Sequence, residues 1–292
     1  MGPVTAAGIL LTDKPVGPTS HDLVQQVRRL AGTRRVGHAG TLDPAASGLL
    51  LLGVNAATRL LTSLVGLDKT YRATIRLGFA TTTDDAEGEP LGEPAEVDAE
   101  TLEGLDAAVA ALTGPIDQVP SSVSAIHVAG RRAHELVRAG ERVDLPARRV
   151  TVARFDVEAV RGAELDVEVD CSSGTYIRAL ARDLGGALGV GGHLTALRRT
   201  RIGPFRVEDA AALEAPLALT APADIARALF PILSLTGQQA ADLAQGKRLA
   251  VPEAPDTETV AAIAPDGRLV GLARVTGGVA SVVMNLPAEA PA

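Results

Sequence analysis

Cysteine occurs once in this chain, at Cys171, tryptophan not at all, and lysine only three times. A lone cysteine cannot close an internal disulfide, and it has no companions for a cysteine-based zinc site. The five histidines are scattered and show no His-Glu-x-x-His spacing, so no metal site is expected. No apolar run approaches the ~20 residues of a membrane-spanning helix. The N-terminus has no basic stretch ahead of a long apolar core and does not read as a signal peptide. A soluble, reduced, cytoplasmic protein with no membrane association is expected. Aromatic residues are also scarce, two Tyr and four Phe, so each tyrosine stands out.

What is present fits an ordinary globular protein rather than a disordered one. The 292 residues, 46% hydrophobic and 22% charged, suffice for one large domain and a small one. The net charge of -7 argues against a nucleic-acid partner until its distribution is followed. From Leu77 to Gly130 there are eleven acids and no Lys or Arg; Ser121 to Phe155 holds seven Arg against three acids, and Cys171 to Arg206 six Arg against one. Phosphate affinity depends on the potential where the backbone docks rather than on the total charge. Of the 28 cationic residues 25 are Arg, which suits bidentate phosphate contacts; a GC-rich genome is the alternative source of that count. The stripe Arg131, Arg132 and His134 to Arg149 reads either as an RNA-docking surface or as a solvated face.

Along the chain, Thr19–Ser20 followed by Leu23, Val24, Val27 and Leu30 and closed by Gly32 predicts a capped amphipathic helix. A small-residue loop runs from Val36 to Gly48, and an apolar run from Leu49 to Val54. Tyr71, Ala73, Ile75, Leu77 and Phe79 alternate as one face of a strand over Thr70–Phe79. The acidic Thr81–Val97 reads as a surface loop, and Leu102, Leu105, Val109 and Leu112 as a helix ending at Gly114. A second strand (Leu165, Val167, Val169, Cys171) leads through a Ser-Ser-Gly turn into a helix from about Tyr176. Strands and helices mix without a βαβ rhythm, which predicts an α+β fold with a mixed, largely antiparallel sheet flanked by helices. After Pro231, short strands separated by Asp266-Gly267 and Gly277-Gly278 signal hairpins. The expected division is a catalytic domain over 1–231 and a small β-rich domain over 232–292.

Three segments could carry chemistry. Gly37-His38-Ala39-Gly40-Thr41-Leu42-Asp43-Pro44 continues to Gly48 without bulky polar residues, so another backbone can approach it closely. Its single carboxylate, restricted by Pro44, suits a nucleophile better than an acid–base pair; an ordinary turn is the alternative. In Asp68-Lys69-Thr70-Tyr71-Arg72, Tyr71 could stack on a base or handle a proton, or simply face the core. In Gly174-Thr175-Tyr176-Ile177-Arg178, an Arg on a first helical turn gains nothing from the helix dipole and implies a specific anionic partner, unless it is solvent-exposed. Gly189–His193 lacks the spacing of a dinucleotide or phosphate loop.

Together these segments resemble the TruB family of tRNA pseudouridine synthases. Gly8 to Ser20 resembles its first motif, Gly37 to Pro44 its Gly-His-x-Gly-x-Leu-Asp-Pro motif, Asp68 to Arg72 its Asp-Lys-x-Tyr segment, and Gly174 to Arg178 its Gly-Thr-Tyr-Ile-Arg segment. Leu194 to Arg199 resembles the downstream Leu-Arg-Arg stretch. Residues 232–292 are similar to a PUA-type RNA-binding β-barrel. Ser173 departs from the pattern, many relatives having Lys there. The resemblance implies isomerisation of uridine to pseudouridine at position 55, in the T loop of tRNA. It makes Asp43 the catalytic carboxylate, with Tyr71 stacked on the flipped base and Arg178 paired with Asp43. Leu197 lines the uracil pocket and His38 meets the RNA where the base has left the stack, with Gly40, Thr41 and Tyr176 also on the substrate side. Whether Asp43 attacks C1′ or abstracts the 2′ proton is left open. No cofactor and no metal are expected, because the implied reaction has no redox step or phosphate transfer, and no guide RNA, because the chain lacks the long basic tail that guide-dependent relatives often carry; a monomer acting on the T-arm stem-loop is expected. A non-catalytic RNA-folding protein is the rival reading, disfavoured by the intact Asp43, Tyr71 and Arg178.

Overall fold

The structure is a computed structural model that describes residues 6–121, 127–128, 131–132 and 145–287. Most of the basic stripe expected over 131–149 therefore lies outside the described residues. The chain groups into two compact units: Met1–Pro44, Gly48–Val65 and Pro204–Ala292 form the first, and Ala45–Ser47 with Gly66–Gly203 the second.

In the first unit β1 (Gly8–Lys14) leads into helix α1 (Ser20–Ala31). The Thr19 side chain accepts from the Asp22 N–H while the Asp22 carboxylate accepts from the Thr19 N–H, a capping box that satisfies two otherwise orphaned donors. Leu23, Val24, Val27 and Ala31 share one face of α1. They are buried with Leu10 of β1, Val36 of β2 (Val36–Ala39) and Leu50, Leu52 and Val54 of β3 (Ser47–Val54). β3 runs antiparallel to both β1 and β2, with Gly53 opposite Ile9 on one side and Gly37 on the other. Residues 40–46 connect β2 to β3, so the loop that carries Asp43 hangs from an ordered hairpin. A 3-10 turn (Asn55–Leu60) and helix α2 (Leu61–Val65) follow.

The second unit holds β4 (Lys69–Leu77), the short pair β5 (Ala80–Thr81) and β6 (Pro90–Leu91), helices α3 (Ala99–Glu103) and α4 (Leu105–Ala111), and β7 (Gly114–Gln118). A two-residue pair, β8 (His127–Val128) and β9 (Arg131–Arg132), precedes β10 (Arg148–Arg161), β11 (Glu164–Cys171), helix α5 (Ile177–Ala187) and β12 (Gly192–Ile202). Its sheet has the order β12-β4-β11-β10-β7, antiparallel throughout. Tyr71, Ala73, Ile75 and Leu77 are buried, as are Leu165, Val167, Val169 and Cys171, the outcome that period-2 alternation predicts. The opposite face is laced with charge. Arg72 donates to Glu168 at 2.8 Å, and Arg154 to Asp170 at 2.9 Å.

Three local expectations change. The strand containing Tyr71 ends at Leu77 rather than Phe79, because Gly78 sits at φ +107°, a region open to glycine and not to a strand. The helix expected around Leu102–Leu112 is two helices, broken at Gly104. The acidic loop is not wholly at the surface: Thr81, Asp84 and Asp85 at its head are buried.

The C-terminal portion returns to the first unit with β13 (Phe205–Arg206), helix α6 (Pro222–Leu229), β14 (Ile232–Ser234), helix α7 (Gly237–Ala244), β15 (Leu249–Ala250), β16 (Thr257–Ile263), β17 (Leu269–Thr276) and β18 (Val279–Asn285). Five of these strands form a sheet of order β14-β16-β17-β18-β15, in which only the β14–β16 ladder is parallel. Among the described residues no ladder joins β14 to β15, so the ladders describe an open five-stranded sheet. Leu235, Leu243, Val260, Val270 and Val275 form a core of its own. The expected α+β class and the antiparallel predominance both hold.

α5 packs closely on the start of β12. A Cβ on Gly185 would fall on the backbone of Gly191 and Gly192, and one on Gly192 would come within 2.7 Å of the Ala181 carbonyl oxygen. Backbone cannot step aside as a flexible side chain can. Gly185→Ala is expected to lose about 1–3 kcal/mol of stability, the usual range for overpacking, read as a lower urea midpoint. An unchanged midpoint would show that the helix and strand are free to separate.

Candidate active site

Asp43 is half-buried in the 40–46 loop, and both its neighbours are pinned. Ser20, buried at the start of α1, donates from Oγ to the Leu42 carbonyl (3.1 Å) and accepts from the Leu42 N–H (2.9 Å). On the other side the Pro44 carbonyl accepts from the Gly17 N–H at 2.9 Å and from Lys14 Nζ at 3.4 Å. Lys14 has no exposed surface, and its ammonium also donates to Pro15 O (2.9 Å) and Pro18 O (2.8 Å). A buried ammonium must find acceptors, and here they are the turn 15–18 and the residue after Asp43. The aspartate is thus held through its neighbours' backbone on both sides, which fixes the position of its carboxylate. Sequence reasoning placed Lys14 and Ser20 in the first motif, and Ser20 at a helix start, but gave neither a role beside Asp43, although Lys14 is one of only three lysines in the chain. In the same hairpin, His38 and Gly40 are half-buried and Thr41 is exposed, while His38 lies opposite Leu52 in the ladder.

The second unit contributes another cluster. Tyr71 is buried, opposite Val169 on β11 and Arg199 on β12. Leu197, half-buried, lies opposite Ala73. Near one end of this face Lys69 and Arg199 are both buried. Burial, with the Arg199 charge added, lowers the Lys69 pKa to about 8, and burial raises that of Cys171 to about 11, so this thiol is not a reactive one. Gly174, at φ +88°, turns the chain from β11 into α5. Tyr176, half-buried, is the N-cap of that helix and caps it with no side-chain hydrogen bond.

Arg178 follows in the first turn of α5 and is buried, with 7% exposed. Its Nη1 donates to Asp85 Oδ2 at 3.1 Å and to the Thr83 carbonyl at 3.1 Å. The other carboxylate oxygen of Asp85 accepts from Thr83 Oγ1 (2.5 Å) and the Glu87 N–H (3.1 Å). This segment is strapped onto β12, where the Leu194 N–H donates to Asp84 O and the Ala86 N–H to Leu194 O. One turn further along α5, Arg182 binds Asp84 at 3.1 Å. The anionic partner implied for Arg178 thus includes Asp85, a residue that sequence reasoning placed in a surface loop. The signal available was an Asp-Asp pair at the head of the acidic stretch, and nothing separated it from the nine acids that follow. Asp43 belongs to the first unit; Tyr71, Tyr176, Arg178 and Leu197 belong to the second.

Residues 28–177 match the model of the TruB family pseudouridylate synthase N-terminal domain, residues 178–230 that of the tRNA pseudouridylate synthase B C-terminal domain, and residues 230–287 that of the tRNA pseudouridine synthase II C-terminus. The chain belongs to the TruB family of pseudouridine synthases. Among its relatives, tRNA pseudouridine synthase B of Leifsonia xyli subsp. xyli is 57% identical over 97% of both chains. The protein of that name from Arthrobacter sp. strain FB24 is 56% identical, over 95% of this chain and 96% of the relative. A chain in a structure of an H/ACA RNP bound to a substrate RNA containing 2′-deoxyuridine superposes with a TM-score of 0.72 at 25% identity, covering 96% of this chain and 85% of that one. A chain of the archaeal box H/ACA sRNP Nop10-Cbf5 complex gives a TM-score of 0.70, also at 25% identity, covering 96% and 85%. As a TruB-family synthase the protein is an isomerase.

The lysine clamp makes a prediction. In Lys14→Met the aliphatic stem is kept and the ammonium lost, leaving three carbonyls without that donor. A stability loss of about 1–3 kcal/mol is expected from leaving buried acceptors unsatisfied, together with a single-turnover rate that falls more than RNA affinity does. A variant with parental rate and parental unfolding midpoint would show that Asp43 does not depend on this clamp.

Proposed function

We propose that this TruB-family enzyme isomerises uridine to pseudouridine at position 55, in the T loop of tRNA, with Asp43 as the catalytic carboxylate. That tRNA carries the target uridine follows from its relatives, named tRNA pseudouridine synthase B and matching at 57% and 56% identity along almost the whole chain. For the role of Asp43, the supporting observation is a single carboxylate pinned by backbone on both sides in a loop of small residues. The reaction breaks the C1′–N1 bond, turns the uracil, and joins C5 to C1′; the C5 proton leaves and N1 takes one up, so no net oxidation occurs. The base must first leave its stack, which costs a few kcal/mol that contacts with the loop must offset.

In this reading Tyr71 stacks on the flipped base and Arg178 places a guanidinium beside Asp43, while Asp85 and Thr83 hold that guanidinium. Leu197 lines the uracil pocket. His38, Gly40, Thr41 and Tyr176 meet the RNA. The five-stranded C-terminal sheet serves as the PUA-like RNA-binding part of a catalytic 1–231 and RNA-binding 232–292 division. The enzyme acts as a cytoplasmic monomer on the T-arm stem-loop without a guide RNA. The identity of over one half to the tRNA synthases, against 25% to chains of the ribonucleoproteins, favours that mode.

Two measurements test this. An unmodified tRNA transcript incubated with the protein should acquire one pseudouridine, mapped by carbodiimide labelling to the T loop; Asp43→Asn should abolish it while RNA affinity stays within about tenfold, ~1.4 kcal/mol. Label elsewhere on the tRNA, or turnover by the Asn variant, would refute the position or the role. Arg178→Met keeps the apolar stem but removes the charge, leaving carboxylates without their cation at a cost of roughly 3–5 kcal/mol. Its single-turnover rate should collapse with modest loss of binding, and Arg178→Lys should restore only part, because an ammonium lacks the guanidinium fork. A parental rate in the Met variant would remove Arg178 from the mechanism.

A further inference from the structure

Gln118 closes β7, the edge strand of the second unit's sheet, and is 2% exposed. Its side-chain amide is spent on one backbone residue. Nε2 donates to the Tyr176 carbonyl at 3.1 Å and Oε1 accepts from the Tyr176 N–H at 2.8 Å. Tyr176 is the N-cap of α5 and has no side-chain cap of its own. Its carbonyl also accepts the first helical bond, from the Leu180 N–H. On the preceding side the turn is closed on itself, Thr175 donating from Oγ1 to the Ser172 carbonyl at 2.9 Å and Ser172 bonding to Thr151, while Gln118 is what grips Tyr176 itself from another strand. A primary amide, one donor and one acceptor in a plane, does what a neighbouring strand would do for this residue.

We infer that Gln118 is a positioning residue for catalysis, setting the start of α5 and through it the placement of Arg178. The inference rests on the role proposed above for Arg178. Two residues beyond Tyr176, the Arg178 guanidinium must meet Asp85 and the Thr83 carbonyl within hydrogen-bond reach, and it leaves the helix from its first turn. A tilt of that turn moves the guanidinium with it. The segment holding Gln118 is bolted to the same helix a second time, one turn on, where Arg182 Nη2 donates to the Val119 carbonyl at 2.8 Å while Nη1 binds Asp84. Gln118 acts on the uncapped first turn, at Tyr176. Among the described residues the charged groups around this junction include the Arg178–Asp85 pair, Arg182 with Asp183 and Asp84, and Asp117 paired with Arg149.

The amide can be replaced by groups that keep its shape and change only its hydrogen bonding. Gln118→Met loses both bonds. Gln118→Glu as a carboxylate retains an acceptor for the Tyr176 N–H but turns an oxygen toward the Tyr176 carbonyl; protonated, it again offers one O–H donor and one carbonyl acceptor. Single-turnover rates on a T-arm hairpin would be measured for both variants and the parent across pH, with binding affinity and the circular-dichroism melting temperature at each pH. Expected for Gln118→Met is a rate between about tenfold and a hundredfold below the parent, the effect of a displacement on the order of 1 Å at a reacting centre, with RNA affinity nearly unchanged. For Gln118→Glu the ratio of its rate to the parental rate should rise as pH falls, since only the neutral acid restores both bonds. A parental rate in Gln118→Met overturns the inference, as does a Glu variant whose rate ratio is flat with pH. If the Met variant does not fold, the pH profile of the Glu variant decides alone. Arg178→Met, assayed alongside, separates the two claims: inactive Arg178→Met with fully active Gln118→Met refutes only the role of Gln118, whereas active Arg178→Met refutes the role of Arg178 on which it rests.

Discussion

A cation taken out of water must be met by oxygen, and among the described residues four are taken out: Lys14, Lys69, Arg178 and Arg199 are all buried. The requirement is steep, because an uncompensated charge in a low-dielectric interior costs far more than any single contact returns. Lys14 meets it by gathering the carbonyls of Pro15, Pro18 and Pro44. Arg178 draws in Asp85 and the Thr83 carbonyl. In each case the acceptors lie on loops that have little hydrophobic reason to adopt one conformation. The buried charge gives them one, and the loops concerned are those beside Asp43 and beside the first turn of α5.

Strand ladders within each unit supply the rigid frame. In the first unit, β3 is shared between β1 and β2, so the strand leaving the Asp43 loop is held on both edges. In the second, β4 lies between β12 and β11, placing Tyr71 on a central strand whose other face is fixed by ion pairs. Those surface pairs contribute little each to stability, yet Asp170 alone is hydrogen-bonded to Thr70, Arg154 and Arg201, which holds its carboxyl below the usual range against the opposing effect of burial.

Patterning determined a good deal by itself. Alternation in 69–77 and 164–171 and the 3.6 period of α1 and α5 were legible because burying one face of a strand or helix leaves a mark at fixed spacing. So were the hairpins at Asp266-Gly267 and Gly277-Gly278, where the turn demands particular residues. The candidate residues Asp43, Tyr71 and Arg178 could be named because the segments that carry them resemble the motifs of the family. Tertiary structure alone decided what holds them. Nothing in a lysine just past a short apolar run announces that it will be buried with its ammonium on the residue that follows an aspartate 29 positions later. Asp85 looked like any other member of an acidic stretch, and Gln118 like the polar end of an edge strand. Hydrogen bonds and ion pairs between distant segments leave no period in the sequence. They depend on which carbonyls and carboxylates the packed backbone brings within about 3 Å.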